Sequence, residues 1–219
     1  MKRPLRYDGL IFDMDNTLLK SSIDFPGIKQ AVLKLLVETG LIPDDFPLQE
    51  HTIATLIESA RPKNGYTSAV DAAVWEIVVQ GEKTGMIGAE LEPGVREVLQ
   101  ALHGRLPLTV LTNNARGAAM EALERTGIAS CFEWVAGREQ MTALKPSPSG
   151  VTYLLSRYSD VRPHRWLSIG DSWIDAAAAR DGGVAFLAYN ARMEELERRQ
   201  LPTVGHIRSI TELYEYLQA

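Results

Sequence analysis

The spacing of apolar positions changes several times along this chain, and the changes divide it. Leu10, Ile11 and Phe12 form an unbroken apolar run, the pattern of a strand buried on both faces. From Ile28 the spacing becomes helical. Ile28, Ala31, Val32, Leu35 and Leu36 share one face, and Gly40 followed by Pro43 closes that helix. Ile53, Leu56, Ile57 and Ala60 make a second stripe, stopped by Pro62 and Asn64-Gly65. Val70, Ala73, Val74 and Ile77 make a third, which the pattern ends near Gly81. Three helices without an intervening strand, over residues 22–88, predict a helical insertion.

From Pro93-Gly94 onward, strand and helix patterns alternate. Val95, Val98, Leu99 and Leu102 mark a helix, and residues 106–111 a strand ending at Thr112. Met120 and Leu123 lie on the next helix, capped by Gly127. Residues 134–136 read as a short strand, and Leu154, Leu155 and Tyr158 as another helix. Residues 166–169 form a strand running into Gly170-Asp171. The alanine-rich stretch 175–180 is helical up to Gly182-Gly183, and residues 184–187 are strand. Ser209 and Glu212 have capping-box spacing for a last helix carrying Leu213 and Leu217. Such alternation predicts an α/β fold: a doubly wound, mostly parallel, Rossmann-like sheet with helices on both faces. The expected division is a core of residues 1–21 and 89–219, with 22–88 inserted.

Composition narrows the partners. The chain has 219 residues, 45% hydrophobic and 23% charged, enough for one large domain and a small inserted one. A net charge of −5 supplies no basic field for a phosphate backbone, so nucleic acid is not an expected partner. The lone Cys131 excludes an intrachain disulfide and suits a reducing compartment, where it reads as a small core residue. Lys2, Arg3 and Arg6 precede an apolar stretch that Asp8, Asp13 and Asp15 interrupt. That argues against a signal peptide, and no run spans a bilayer. A cytoplasmic protein without a membrane partner is the expectation.

Four polar clusters stand at telling places. Asp13 and Asp15 follow the first strand, Thr112-Asn113 the strand at 106–111, and Gly170-Asp171 the strand at 166–169, with Asp175 four residues on. Lys145-Pro146 precedes a helix. Ligands of open α/β sheets bind at the carboxyl ends of strands, which is where three of these clusters fall. Two carboxylates one residue apart repel, and call for a cation or a proton-transfer task.

Order and spacing resemble the haloacid dehalogenase superfamily. Its Asp-x-Asp-x-Thr motif stands as Asp13-Met14-Asp15-Asn16-Thr17, its strand-ending Ser or Thr as Thr112, its Lys-Pro as Lys145-Pro146, and its Gly-Asp-x-x-x-Asp as Gly170 to Asp175. Asn16 replaces the commonest glycine, a tolerable exchange because Asn adopts unusual backbone angles. The insertion falls where one subgroup carries a helical cap.

The resemblance implies a Mg²⁺-dependent phosphatase acting on a small phosphorylated metabolite, such as phosphoglycolate or a sugar phosphate. Asp13 would be the nucleophile and Asp15 the general acid and base. Thr112, Asn113 (through its backbone N–H) and Lys145 would hold the phosphoryl group. Mg²⁺ would be held by Asp13, the backbone carbonyl of Asp15 and Asp171, with Asp175 a ligand or a support for one. Asp15 separates this branch from the dehalogenases, whose halide leaving group needs no proton. A phosphosugar mutase shares all four motifs and is one alternative; a catalytically silent binding protein is another.

Each residue also has a structural account. Asp171 and Asp175 suit helix capping and the helix dipole, Thr112 and Asn113 a turn, and Thr17 hydrogen bonding within its loop. Arg61, Lys63 and Tyr66 around the second breaker would face either an anionic substrate or solvent. Arg116 would serve phosphate or stand exposed, and Trp173 would wall the pocket or pack at the sheet edge. The apolar stripes of the inserted helices suit either their own core or a second subunit.

Overall fold

The apolar run at residues 10–12 becomes a strand with neighbours on both sides. The structure is a computed structural model describing residues 5–218; Lys2 and Arg3 lie outside the described residues. In chain order the first half comprises β1 (Gly9–Phe12), β2 (Leu19–Lys20), α1 (Phe25–Glu38), α2 (Ile53–Ala60), α3 (Ser68–Met86), β3 (Glu90–Leu91) and α4 (Val95–Leu102). There follow β4 (Leu108–Leu111), α5 (Arg116–Arg125), β5 (Trp134–Ala136), α6 (Ser149–Leu155) and β6 (Trp166–Gly170). The chain continues through α7 (Trp173–Asp181), β7 (Ala185–Tyr189), α8 (Met193–Arg198), β8 (Gly205–Ile207) and α9 (Leu213–Leu217). Two compact units result: Ser22–Gly88, which is helical, and the remainder, which is α/β.

In the α/β unit six strands form a sheet in the order β5-β4-β1-β6-β7-β8, every pair of which is parallel. β1 is central, with Leu10 opposite Leu108 on one side and Leu167 on the other. Side chains of a strand alternate in direction. Ile11 and Leu111 accordingly join a buried cluster with Val151 and Leu154 of α6 and Ala176 to Ala179 of α7. Leu10 and Phe12 are equally buried, and Phe12 meets the Phe132 ring edge-on at 6.3 Å. After β1 the chain passes first to β4 and β5, then returns to β6 on the other side. The carboxyl end of β1 is therefore the topological switch point, where such sheets open a ligand crevice. β2 and β3 pair antiparallel as a separate two-stranded ribbon.

In the helical unit Ile28, Val32 and Leu36 of α1 are buried, as are Leu56 and Ile57 of α2 and Val74 and Val78 of α3. The stripes serve this unit's own core in part: Ala31 is exposed, and Leu35, Ile53, Val70, Ala73 and Ile77 are half-buried. Caps define the helix starts: Asp24 accepts from the Gly27 N–H at 2.9 Å, and Thr52 and Thr67 accept from Thr55 and Val70. α3 runs past Gly81 to Met86, contrary to the expected stop. Gly81 and Gly85 are contact points instead of terminators. A Cβ at Gly81 would collide with the Ile28 side chain, and one at Gly85 with the Ile23 backbone. No helix of the described residues is long and apolar enough to cross a membrane.

Candidate active site

Asp13 leaves β1 still tied to the sheet, its N–H donating to the Ile169 carbonyl at 2.9 Å. The chain then turns sharply. The Met14 carbonyl accepts from the N–H groups of Leu18 and Leu19, both at 2.9 Å. Asn16 sits in the left-handed region at φ 57°, the conformation for which Asn is suited. This turn separates the two carboxylates, which meet different partners.

Asp13 faces Lys145. The ammonium donates to Asp13 Oδ1 at 2.6 Å, to Asp175 Oδ1 at 2.7 Å and to the Leu111 carbonyl at 3.0 Å, which uses its three N–H donors. Burial works against the lysine charge, but the carboxylates of Asp13 and Asp175 outweigh it and raise the pKa. Lys145 is thus a fixed cation. Its backbone is fixed as well: its N–H donates to Asn113 Oδ1 at 2.8 Å, and Asn113 Nδ2 donates to its carbonyl at 3.1 Å. The Asn113 side chain therefore anchors the lysine loop to the end of β4.

Asp15 turns away from the lysine. Its Oδ1 accepts from the Ser21 hydroxyl at 2.8 Å and its Oδ2 from Asn114 Nδ2 at 2.6 Å. Burial raises the Asp15 pKa, opposed by these two hydrogen bonds and by the Lys145 charge. Thr112, buried at the end of β4, accepts from the Asn114 N–H at 3.1 Å.

β6 ends in Gly170 for a steric reason. A Cβ there would lie 2.6 Å from Asp175 Cβ, so only glycine lets Asp175 fold back beneath the strand end. Asp175 Oδ2 accepts from the Ser172 N–H at 3.1 Å, closing the first turn of α7, while its Oδ1 is held by Lys145. Capping and site construction thus coincide in one residue. Asp171 is raised to about 7, by burial first and by the Asp175 charge second, against the pull of Lys145 and a hydrogen bond from Asn16. Asp13 is raised well above the carboxylate range by burial, which the Lys145 charge opposes and Asp175, Asp171 and Asp15 reinforce.

Carboxylate oxygens of Asp13, Asp171 and Asp175 all lie within 4.8 Å of one another. They are hard oxygen donors of the kind Mg²⁺ takes. With Asp15 beside them, the carboxylates outnumber the ammonium that faces them; burial first, and for Asp13 and Asp171 the neighbouring carboxylates as well, raise their pKa values. A divalent cation fits this donor set and its charge.

The structure brings Asp13, Asp15, Thr112, Asn113, Lys145, Asp171 and Asp175 to one sheet edge through the contacts above. Other candidates go elsewhere. Arg116 turns to the sheet, its Nε donating to the Val135 carbonyl at 3.2 Å. Trp173 packs against the apolar cluster and lies beneath the Arg199 guanidinium, 3.8 Å from the ring centre. Arg61 pairs with Glu58 at 2.7 Å and Asp71 at 3.5 Å, and the Tyr66 hydroxyl donates to Asp71 at 2.8 Å. Lys63 is exposed. Ser21 and Asn114, the partners of Asp15, fall outside the four sequence motifs. The tandem Asn113-Asn114 after a buried strand was the available signal, since its second amide also needs a role.

A parallel sheet of this order, with acids after β1 and β6 and a lysine between them, defines a class of hydrolase. The chain belongs to that class: the family described as haloacid dehalogenase-like hydrolase matches residues 7–183. Its relatives include a phosphoglycolate phosphatase of Rhodobacter capsulatus, 30% identical over 202 residues that cover 88% of this chain and 89% of that one. A phosphoglycolate phosphatase of Vibrio vulnificus is 32% identical over 191 residues, 80% of each chain. Among solved structures, a haloacid dehalogenase-like family hydrolase from Streptococcus pneumoniae shares the fold. It has a TM-score of 0.68 at 22% identity and covers 96% of this chain and 98% of that one.

Proposed function

We propose that this hydrolase is a Mg²⁺-dependent phosphatase that cleaves a small organic phosphate monoester through an aspartyl-phosphate on Asp13. The observation that carries the reading is the Asp13–Lys145–Asp175 chain of short contacts at the switch point, with Asp15 held apart from it. The relatives named phosphoglycolate phosphatase support the phosphatase over the mutase, and make phosphoglycolate the first ester to test. A silent binding protein is disfavoured because no acid or lysine of the four motifs is missing.

In the first half-reaction an Asp13 carboxylate oxygen attacks phosphorus and the ester P–O bond breaks. Asp15, protonated at the start, gives its proton to the departing alkoxide. In the second, the Asp15 carboxylate takes a proton from water, the resulting hydroxide attacks phosphorus, and the acyl–phosphate P–O bond breaks. Inorganic phosphate leaves, Asp13 is again a carboxylate and Asp15 is again protonated. A raised Asp15 pKa suits both duties. Lys145 orients Asp13, and its charge opposes the burial that raises the Asp13 pKa, while Thr112 and the Asn113 backbone N–H would bind phosphoryl oxygens. Asp13, the Asp15 carbonyl and Asp171 would hold Mg²⁺. Both oxygens of Asp175 are hydrogen-bonded within the protein, so it supports the site by fixing Lys145 and the start of α7. Mg²⁺ would supply charge stabilisation of the transferring phosphoryl group. Ser22–Gly88 would act as a cap that selects the ester.

The test is phosphate release from a panel of small esters, phosphoglycolate included, with Mg²⁺ and with EDTA. Release should need Mg²⁺, and Asp13→Asn should lower it by about 10⁴-fold or more with the fold retained by circular dichroism. Release surviving in Asp13→Asn would sink the nucleophile.

A further inference from the structure

Asn114 belongs to none of the four motifs, and the chemistry above does not use it. Its placement is nonetheless tightly determined. The residue is 4% exposed, immediately after the strand end that carries Thr112. Its backbone N–H donates to Thr112 Oγ1 at 3.1 Å, and its backbone carbonyl accepts from the Arg138 N–H at 3.0 Å. With both backbone groups engaged, the side-chain amide reaches across 99 residues of sequence to Asp15 Oδ2 at 2.6 Å.

The chemistry of the two Asp15 partners differs. An amide nitrogen is a donor only, whereas a serine hydroxyl donates or accepts. Asn114 therefore commits Oδ2 to accepting. Ser21, 2.8 Å from Oδ1, adapts to either state of that oxygen. The arrangement distinguishes two otherwise equivalent oxygens and leaves Oδ1 to carry the proton.

We propose that Asn114 is a positioning residue for Asp15: its amide ties Oδ2 to the end of β4 and so presents Oδ1 for proton exchange with the leaving group and with water. The inference rests on the acid/base role of Asp15 proposed above. It predicts a loss that depends on the leaving group, because an alkoxide must be protonated as it departs and a nitrophenolate need not be.

The experiment compares wild type and Asn114→Ala, as Mg²⁺-loaded full chains, on an alkyl phosphate monoester that the wild type hydrolyses and on p-nitrophenyl phosphate. Steady-state kcat for the alkyl ester should fall about ten- to hundredfold with KM within about twofold. The pre-steady-state burst of p-nitrophenol, which reports attack by Asp13, should stay within about threefold of wild type. Asn114→Ser keeps a small hydroxyl donor and should show the same split with a smaller loss, which preserves the test if the alanine variant does not fold. An equal loss in the alkyl-ester kcat and in the p-nitrophenol burst rate, or no loss in either, would overturn the inference while leaving the phosphatase standing. A wild type that releases phosphate from no ester would overturn the phosphatase and this inference together.

Discussion

The two units of this chain treat polar groups in opposite ways. Apart from Glu82, every buried polar or charged side chain among the described residues lies in the α/β unit. Asp13, Asp15, Thr112, Asn114, Lys145 and Asp175 all belong to the one sheet edge. The helical unit keeps its polar groups mainly at helix starts and on its surface, as with Asp24, Thr52 and Thr67, and with Arg61 beside Glu58 and Asp71. Burying carboxylates in excess of their cation is unfavourable unless something else neutralises them. One unit therefore holds an electrostatic cost that a ligand would offset, and the other is stabilised mainly by packing. On the proposed reading, chemistry belongs with the first and selection with the second.

The largest expected effects test the electrostatic side. Asp171, raised from 3.8 to about 7, binds more protons in the folded than in the unfolded state between those values. Without metal, its contribution is therefore a loss of stability as pH rises through that window. Mg²⁺ needs the ionised carboxylate and should reverse the trend. Thermal melts should show a Mg²⁺-induced rise of several degrees at pH 8 and little at pH 5. Asp171→Ala should lower Mg²⁺-dependent phosphate release by about 10²–10³-fold and remove most of the metal-induced shift. An unchanged Mg²⁺ titration in that variant would take Asp171 out of the metal site.

An intermediate effect tests the division of labour. Replacing Ser22–Gly88 by the corresponding helical segment of a relative should reorder the preferred esters, changing ratios of kcat/KM by about tenfold. Mg²⁺ dependence should persist, and Asp13→Asn should still abolish release in the chimaera. An unaltered ranking of esters would return selectivity to the α/β unit.

The sheet was legible because its strands are short apolar runs followed at once by polar motifs, and because the order of those motifs is hard to meet by accident. β4 begins at Leu108 instead of 106, and β7 ends at Tyr189 instead of 187, shifts of the size expected where flanking residues are also apolar. The sequence pattern does not mark α8, β8 or the β2–β3 ribbon. α8 has six residues with Leu196 as its buried one, too short for a helical period to register. Within the site, residues at the ends of strands could be read locally. The donors on Asp15 could not: Asn114 lies 99 residues away and Ser21 six, and only the folded turn at Asn16 aims the carboxylate at both. Arg116 shows the converse. Its place after β4 suggested phosphate, yet its side chain satisfies an edge-strand carbonyl.

The smallest effect concerns the glycines of α3, where propensity and packing give opposite signs. By helix propensity alone, Gly→Ala should stabilise a helix interior by about 1 kcal/mol. At Gly85 the new methyl would meet the Ile23 backbone, which is further fixed by the Ser22 N–H donating to the Gly85 carbonyl at 2.9 Å. Backbone at that position cannot rotate aside, so Gly85→Ala should destabilise by about 1–3 kcal/mol. At Gly81 the obstacle is Cδ1 and Cγ1 of the Ile28 side chain and not backbone, so Gly81→Ala should cost less than Gly85→Ala. Urea denaturation followed by circular dichroism reads both. Below the transition, phosphate release by Gly81→Ala should stay within about twofold of wild type, since the change adds packing strain and alters no charge. A midpoint unchanged or raised in Gly85→Ala would mean that propensity outweighs packing here, and the helical unit would lose its standing as the tightly packed half of the comparison.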